Sequence, residues 1–381
     1  MSLDCREDFS LPEDRIWMNC AHQGPLPRVA ALEAREAIDW KSAPHQLTTK
    51  RFGEVPERLR SALSRLVGSS EDEIILANSA SYGIHLLANG IPLVEGDEVL
   101  LVRDDFPSDI LPWLGLEKRG IRVRFIEPAH NMPTAEELQA AITPSTRIFC
   151  STWVHSFSGV AIDIEDLGAI CREKNVLFLV NGSQAIGARP IDVSSAPIDA
   201  LISVGFKWLC GPYGTGFTWI RSELLKSLEY NQQYWLSVMT AQDLGKEAAD
   251  LKLPEGPPTV RTYDIFCTAN FFNFKPWAAT IEYLLEKGIK QIASYDQKLV
   301  DGLIDGIDQK KYTVMSPREG GARSTLVFIS HRERERNREI YYHLREKGID
   351  ISLRREKLRI APHLYNTMDD INRVLEILNC L

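Results

Sequence analysis

No stretch of this chain is both long and wholly apolar. Its longest aliphatic and aromatic runs have the length of residues 176–180, far short of the roughly 20 residues that a bilayer-spanning helix needs. No Cys-x-x-Cys pair occurs, and the seven cysteines (Cys5, Cys20, Cys150, Cys171, Cys210, Cys267, Cys380) stand singly and are odd in number. That excludes a disulfide framework and a zinc site, and it points to buried thiols in a reducing compartment. Basic charge is not in excess: 44 Lys+Arg face 52 Asp+Glu, a net −8, so nothing draws the chain toward a phosphate backbone. The one arginine-rich run, His331-Arg-Glu-Arg-Glu-Arg-Asn-Arg, is offset by two glutamates and reads as a solvated helix face. Repeats and low-complexity tracts are absent. The opening residues, Met1-Ser-Leu-Asp-Cys-Arg-Glu-Asp, lack the basic and apolar regions of a secretion signal. Neither a GxxxxGK[ST] loop nor a GxGxxG after a strand occurs, which disfavours a nucleotide-binding protein. What is present is an ordinary globular composition, 44% hydrophobic and 25% charged. A cytoplasmic protein is expected, with no membrane and no nucleic-acid partner.

Its 381 residues imply two domains, or one large domain with a satellite. Short apolar runs alternate with amphipathic stretches, which predicts an α/β fold: a mostly parallel sheet sandwiched by helices. Strands are expected at 73–77, 98–102, 123–126, 147–152, 176–180 and 200–204. Helices are expected at 82–89, at 134–142, where Thr134 and Glu137 form a capping box, and at 164–174. Past about residue 240 the texture changes. Leu253-Pro-Glu-Gly-Pro-Pro is a stiff connector. A long helix over 277–304, a strand at 324–330 and helices at 334–347 and 368–378 follow it. The division predicted is a large domain over 16–250 and a small α+β domain over 260–381, with residues 1–15 packed on the small one.

Chemistry concentrates around Lys207, which ends an apolar strand among Phe206, Trp208 and Leu209. A desolvated ammonium is costly, so such a lysine either snorkels to solvent or is chemically used. Desolvation also moves it toward the neutral amine that forms an imine with a carbonyl. Asn181 and Gln184 follow the preceding strand. In open α/β sheets ligands bind beyond the carboxyl ends of strands, so two strands offer amides and an amine to one crevice. Asn78-Ser-Ala-Ser-Tyr-Gly joins a strand to a helix. Its small residues either cap the helix or leave backbone N–H groups for a phosphate. Phe106, in Asp104-Asp-Phe-Pro-Ser-Asp, either stacks on a heteroaromatic ligand or plugs the core. An imine-forming lysine, a phosphate-holding helix start, a stacking ring and nearby amides together describe pyridoxal 5′-phosphate (PLP).

The chain resembles the class V aminotransferase family of fold type I PLP-dependent enzymes, which includes cysteine desulfurases, kynureninases and isopenicillin N epimerase-like proteins. The resemblance runs from Trp17-Met-Asn-Cys-Ala-His-Gln-Gly-Pro-Leu-Pro to Leu358-Arg-Ile-Ala-Pro-His-Leu-Tyr-Asn-Thr-Met-Asp-Asp. It is most specific around Lys207. The resemblance implies that Lys207 forms the Schiff base, that Ala80 and Ser81 hold the phosphate, and that Phe106 stacks on the pyridine. It also implies that Gln184 and Ser156 approach the phenolic oxygen, and that Arg359 binds the substrate α-carboxylate by a two-pronged contact. Thr268 resembles the residue that reaches the phosphate of the partner subunit's cofactor, which implies a homodimer with shared sites. His22 and Gln23 either edge the substrate pocket or build a turn. His155 either neighbours the cofactor or is a satisfied core residue, and the aromatic run from Tyr263 to Phe274 either lines the pocket or belongs to the core. His363 and Tyr365 are read as packing residues. No metal is expected, because no His/Cys cluster or carboxylate pair has ligand spacing.

Two departures bear on function. Position 181 is aspartate in the family, where its carboxylate keeps the pyridine nitrogen protonated and the ring an effective electron sink. Asn181 has no charge and offers at most a hydrogen bond to an unprotonated nitrogen. In addition, the loop over 349–359 lacks the cysteine that persulfide-forming desulfurases carry there. The expectation is a PLP enzyme acting on an amino acid through Lys207, with epimerase or lyase chemistry. The alternatives are an aminotransferase proper, which Asn181 disfavours, and a PLP-binding protein that has lost catalysis, which Asn181 raises.

Overall fold

The computed structural model describes residues 3, 5–232, 234–239, 253 and 255–381. In chain order the N-terminal half contains β1 (Ile16–Trp17), α1 (Arg28–Ser42), α2 (Thr49–Val67), β2 (Ile74–Ala77), α3 (Ala80–Gly90) and β3 (Glu98–Val102). It continues with α4 (Leu111–Leu114), β4 (Arg122–Ile126), α5 (Ala135–Ala141), β5 (Thr146–Thr152), α6 (Ile164–Glu173) and β6 (Leu177–Asn181). Then come β7 (Ala200–Val204), β8 (Gly216–Ile220), α7 (Ser222–Ser227), α8 (Trp235–Val238), α9 (Phe271–Lys287) and α10 (Ile289–Gly306). The chain closes with β9 (Tyr312–Val314), β10 (Val327–His331), α11 (Arg336–Glu346), β11 (Ile349–Asp350), β12 (Ser352–Arg354), β13 (Lys357–Ile360) and α12 (Met368–Cys380). Among the described residues, no helix is long and apolar enough to cross a membrane.

Seven strands form the main sheet in the order β2-β8-β7-β6-β5-β3-β4. The five from β7 to β4 are parallel; the inner four are largely buried runs, as a sheet covered on both faces requires, while the edge strand β4 exposes Arg122 and Arg124. One apolar core lies on each face. The sequence reading has no strand at β8, which runs antiparallel to both β7 and β2. Gly-Phe-Thr-Trp-Ile is too short and too uniformly buried to betray its direction by alternation.

A four-stranded antiparallel sheet, β12-β13-β10-β9, is covered by α10, α11 and α12 around a third core that also takes in Ile16 and Met18. The long helix expected over 277–304 is two helices, broken at Gly288, whose φ of +82° favours glycine. α9 lies on α1 and α2, and its apolar face joins the main-sheet core. Part of the segment assigned to the small domain therefore sits with the large sheet; the inner limit at 250 lies outside the described residues. The opening segment ties to both regions, through Asp8 to Lys287 at 2.9 Å and Arg15 to Asp350 at 2.5 Å. In the 349–359 stretch, expected as a loop, Ile349–Asp350 pairs with β1 and the rest is a β-hairpin turning at Arg355 and Glu356, both at positive φ.

Candidate active site

The carboxyl ends of β2, β5, β6 and β7 open into a cleft of about 550 Å³. Its lining includes Ala80, Ser81, Phe106, Ser156, Asn181, Gln184, Lys207, Arg359 and His22. One cleft thus gathers every sequence-selected residue except Thr268. Thr268 is buried in a second cleft, of about 650 Å³, between α2 and the 234–239 and 261–269 segments.

Each wall has a local cause. Ser79 caps α3 by accepting the N–H of Tyr82 at 3.2 Å, so the first-turn amides of Ala80 and Ser81 stay open at the positive end of the helix. Phe106 is 39% exposed, and its ring lies 6.3 Å from that of Phe157 at an interplanar angle of 20°. A large ring left half bare beside a cleft is not a core plug and leaves a face open to a flat ligand. Lys207 lies three residues past β7, its Nζ 5.5 Å from the centre of the Phe106 ring. Gly24 brings the 20–24 segment against the lysine's own backbone: a Cβ there would collide with the Lys207 carbonyl oxygen. That close approach holds His22 at the rim.

Charge in the cleft is one-sided. Lys207, Arg354 and Arg359 line it, and no lining residue among those described is a carboxylate. Burial, then Arg359 and Arg354, pull the Lys207 amine down to about 8, against the opposing pull of Asp109. Burial, Arg354, Arg359 and Lys207 likewise lower His22, keeping it neutral near pH 7. Arg359 donates from Nη2 to Ser352 Oγ at 3.2 Å and Asn19 Oδ1 at 3.4 Å, while its buried Nε has no partner. An orphaned guanidinium N–H beside a held one is what a carboxylate would complete. The hairpin register pairs Ser352 with Arg359 and Arg354 with Lys357, which sets Arg354 on the same face as Arg359.

Gln184 accepts from Trp208 Nε1 at 2.9 Å and donates to the Ala21 carbonyl at 3.1 Å, so one amide hydrogen remains for a ligand. Asn181 departs from the sequence expectation. Its Oδ1 accepts the backbone N–H of Ser183 at 3.0 Å. Its Nδ2 donates to the two carboxyl oxygens of Asp109 at 2.8 and 3.0 Å. An N–H only donates, so the Ser183 contact fixes which end is oxygen. The amide's donor end therefore faces Asp109, not a ring nitrogen.

Sequence reasoning passed over Asp109, Asp105 and Arg354. The first two stand in the quoted Asp104-Asp-Phe-Pro-Ser-Asp run, where three carboxylates just past a strand end were the available signal. His155 is buried and satisfied, by Ser158 at 2.8 Å and the Asp104 carbonyl at 3.1 Å. Tyr263 and Phe274 belong to the core. Cys20, Cys210 and His363 do come together under the Lys207 loop, within 4.8 Å of one another. Both His363 nitrogens are engaged, however, with Asp296 at 2.7 Å and the Trp208 carbonyl at 3.0 Å. The imidazole has no lone pair to give a metal. Burial opposes its charge, but Asp296 outweighs that and holds it at about 9.

Residues 27–374 match the family profile described as aminotransferase class-V, and the chain belongs to that family. A probable cysteine desulfurase of Methanothermobacter thermautotrophicus is 25% identical over 319 residues, 80% of this chain and 77% of its own length. The isopenicillin N epimerase of Streptomyces clavuligerus is 27% identical over 389 residues, covering 96% and 94%. Among solved structures, a lysine-to-alanine mutant of C-DES with glycine covalently linked to its PLP cofactor superposes with a TM-score of 0.87 at 20% identity, over 98% of both chains. The protein is an enzyme of the class V type, and PLP is its cofactor. The cleft fits that group: an open helix start for the phosphate, a half-bare ring for the pyridine, and an amine of lowered pKa for the aldehyde.

Proposed function

We propose that the protein acts on an amino acid through Lys207, with epimerase or lyase chemistry as the outcome. The observation that carries this is the Lys207 amine, brought down to about 8 at the floor of a cleft that also presents the unfilled Nε of Arg359. When bound, PLP withdraws electrons from the Cα of an attached amino acid. Lys207 anchors the coenzyme and, once displaced by the substrate amine, carries the Cα proton as general base. Arg359 holds the α-carboxylate. Ala80 and Ser81 take the phosphate, Phe106 stacks on the ring, and Gln184 and Ser156 stand near its phenolic oxygen.

Epimerisation needs a second proton carrier, and elimination needs an acid for the leaving group. His22, neutral and in the same cleft, meets the first need as a base that takes a Cα proton while Lys207 returns one. The epimerase and desulfurase relatives support the same choice. No cysteine lies between Ile349 and Arg359, so a persulfide carried on this hairpin is not part of the proposal. The reading includes a homodimer, with Thr268 at the partner's phosphate site, a cytoplasmic location and a two-domain organisation.

A spectrophotometric screen of amino acids of both hands, with product analysis, tests the reading. Racemised substrate, or released ammonia or sulfide, is expected. Stoichiometric keto acid would make the protein an aminotransferase, and no spectral response to any amino acid would make it a binder that has lost catalysis.

A further inference from the structure

The cleft's missing negative charge lies one hydrogen bond behind its wall. Asp109 is 1% exposed and sits at the end of the turn that begins at Phe106. Both its carboxyl oxygens face Asn181 Nδ2, and the cation that acts on it, from beyond hydrogen-bond reach, is Lys207. Its neighbour Asp105 is another buried acid, answered by the backbone N–H groups of Thr152 at 2.9 Å and Phe106 at 2.7 Å. A buried carboxyl held by one neutral amide, next to a second carboxyl, is an expensive arrangement unless a cation offsets it. Burial and Asp105 press the Asp109 carboxyl upward in pKa, and the Asn181 hydrogen bond and Lys207 pull it back only in part.

We propose that Asp109, acting through the Asn181 amide, supplies the negative charge that holds a proton on the ring nitrogen of the bound coenzyme. An amide that donates to a carboxylate becomes a stronger acceptor at its oxygen, because linked hydrogen bonds polarise one another. Asn181 Oδ1 accepts one hydrogen bond, from Ser183, and has a second lone pair. An acceptor at that wall favours a ring nitrogen bearing a proton. Acid and amide together then do what a single aspartate at position 181 does in the family, and Asn181 ceases to be a reason to expect a weak electron sink. Asp109 is a positioning residue, since Asn181 stands between it and the cleft. The inference rests on the PLP reading of the cleft.

The test loads the protein with PLP carrying 15N in its ring and reads the ring-nitrogen shift by NMR. The wild type should show a protonated nitrogen. Asp109→Asn, nearly the same shape without charge, should shift it to the unprotonated range and weaken coenzyme binding roughly tenfold. The exchanged double variant, Asp109→Asn with Asn181→Asp, should recover protonation, which a merely structural role for Asp109 would not bring about. An unprotonated nitrogen in the wild type overturns the inference with no variant needed, as does an unchanged shift in Asp109→Asn. The near-visible band of captured coenzyme is read in the same samples. A band with an unprotonated nitrogen overturns only this inference, whereas no band overturns the site reading itself.

Discussion

At the scale of single residues, Lys207 carries the most weight. Burial and two arginines lower its amine to about 8, and the neutral amine is the form that attacks an aldehyde. Coenzyme-free protein should therefore capture PLP faster as pH rises, about tenfold per unit well below pH 8, and level off above it. Stopped-flow absorbance checks this; a rate still climbing at pH 10 would show an ordinary solvated lysine. Lys207, Phe106 and the helix start after Asn78 drew attention from their local windows, and Arg359 through the family resemblance; the structure lines one cleft with all of them. Asp109 was not legible, because its meaning depends on a contact with a residue 72 positions away. Arg354 became meaningful only once the hairpin register placed it beside Arg359.

Among elements, β2 is joined to α2 and to the 260–264 turn by one buried ion pair. Arg60 is 1% exposed, and its Nη2 meets Asp264 Oδ2 at 2.6 Å. Asp264 Oδ1 accepts the Leu76 N–H at 2.8 Å, and Arg60 Nη1 also donates to the Ile74 carbonyl. Replacing Arg60 by methionine would leave Asp264 buried without its cation. A loss of about 3–5 kcal/mol is expected in urea unfolding, and a loss under about 1 kcal/mol would show that the pair contributes little. The inner parallel strands were readable as short apolar runs, and the α5 start as the Thr134–Glu137 capping box, which the structure contains. α2 did not stand out in the sequence, since Pro56 and the buried Arg60 interrupt its apolar face. β8 was hidden because direction in a sheet is not written in five uniformly buried residues.

For the whole molecule, the proposal makes two chains the working unit. Sedimentation at micromolar concentration should give twice the 43.1 kDa chain mass, with no monomer boundary. Thr268→Val should leave that mass unchanged while weakening PLP binding, because its hydroxyl is assigned to the partner's coenzyme phosphate. A monomer with full PLP affinity would remove the shared-site account. The most direct test of the central claim is chemical. PLP-loaded protein is reduced with borohydride, digested, and its peptides are weighed. The account predicts the pyridoxyl-phosphate mass on the peptide containing Lys207, at one per chain, and none in Lys207→Ala. A label on another lysine, or no label on a protein that retains its near-visible band, would contradict it.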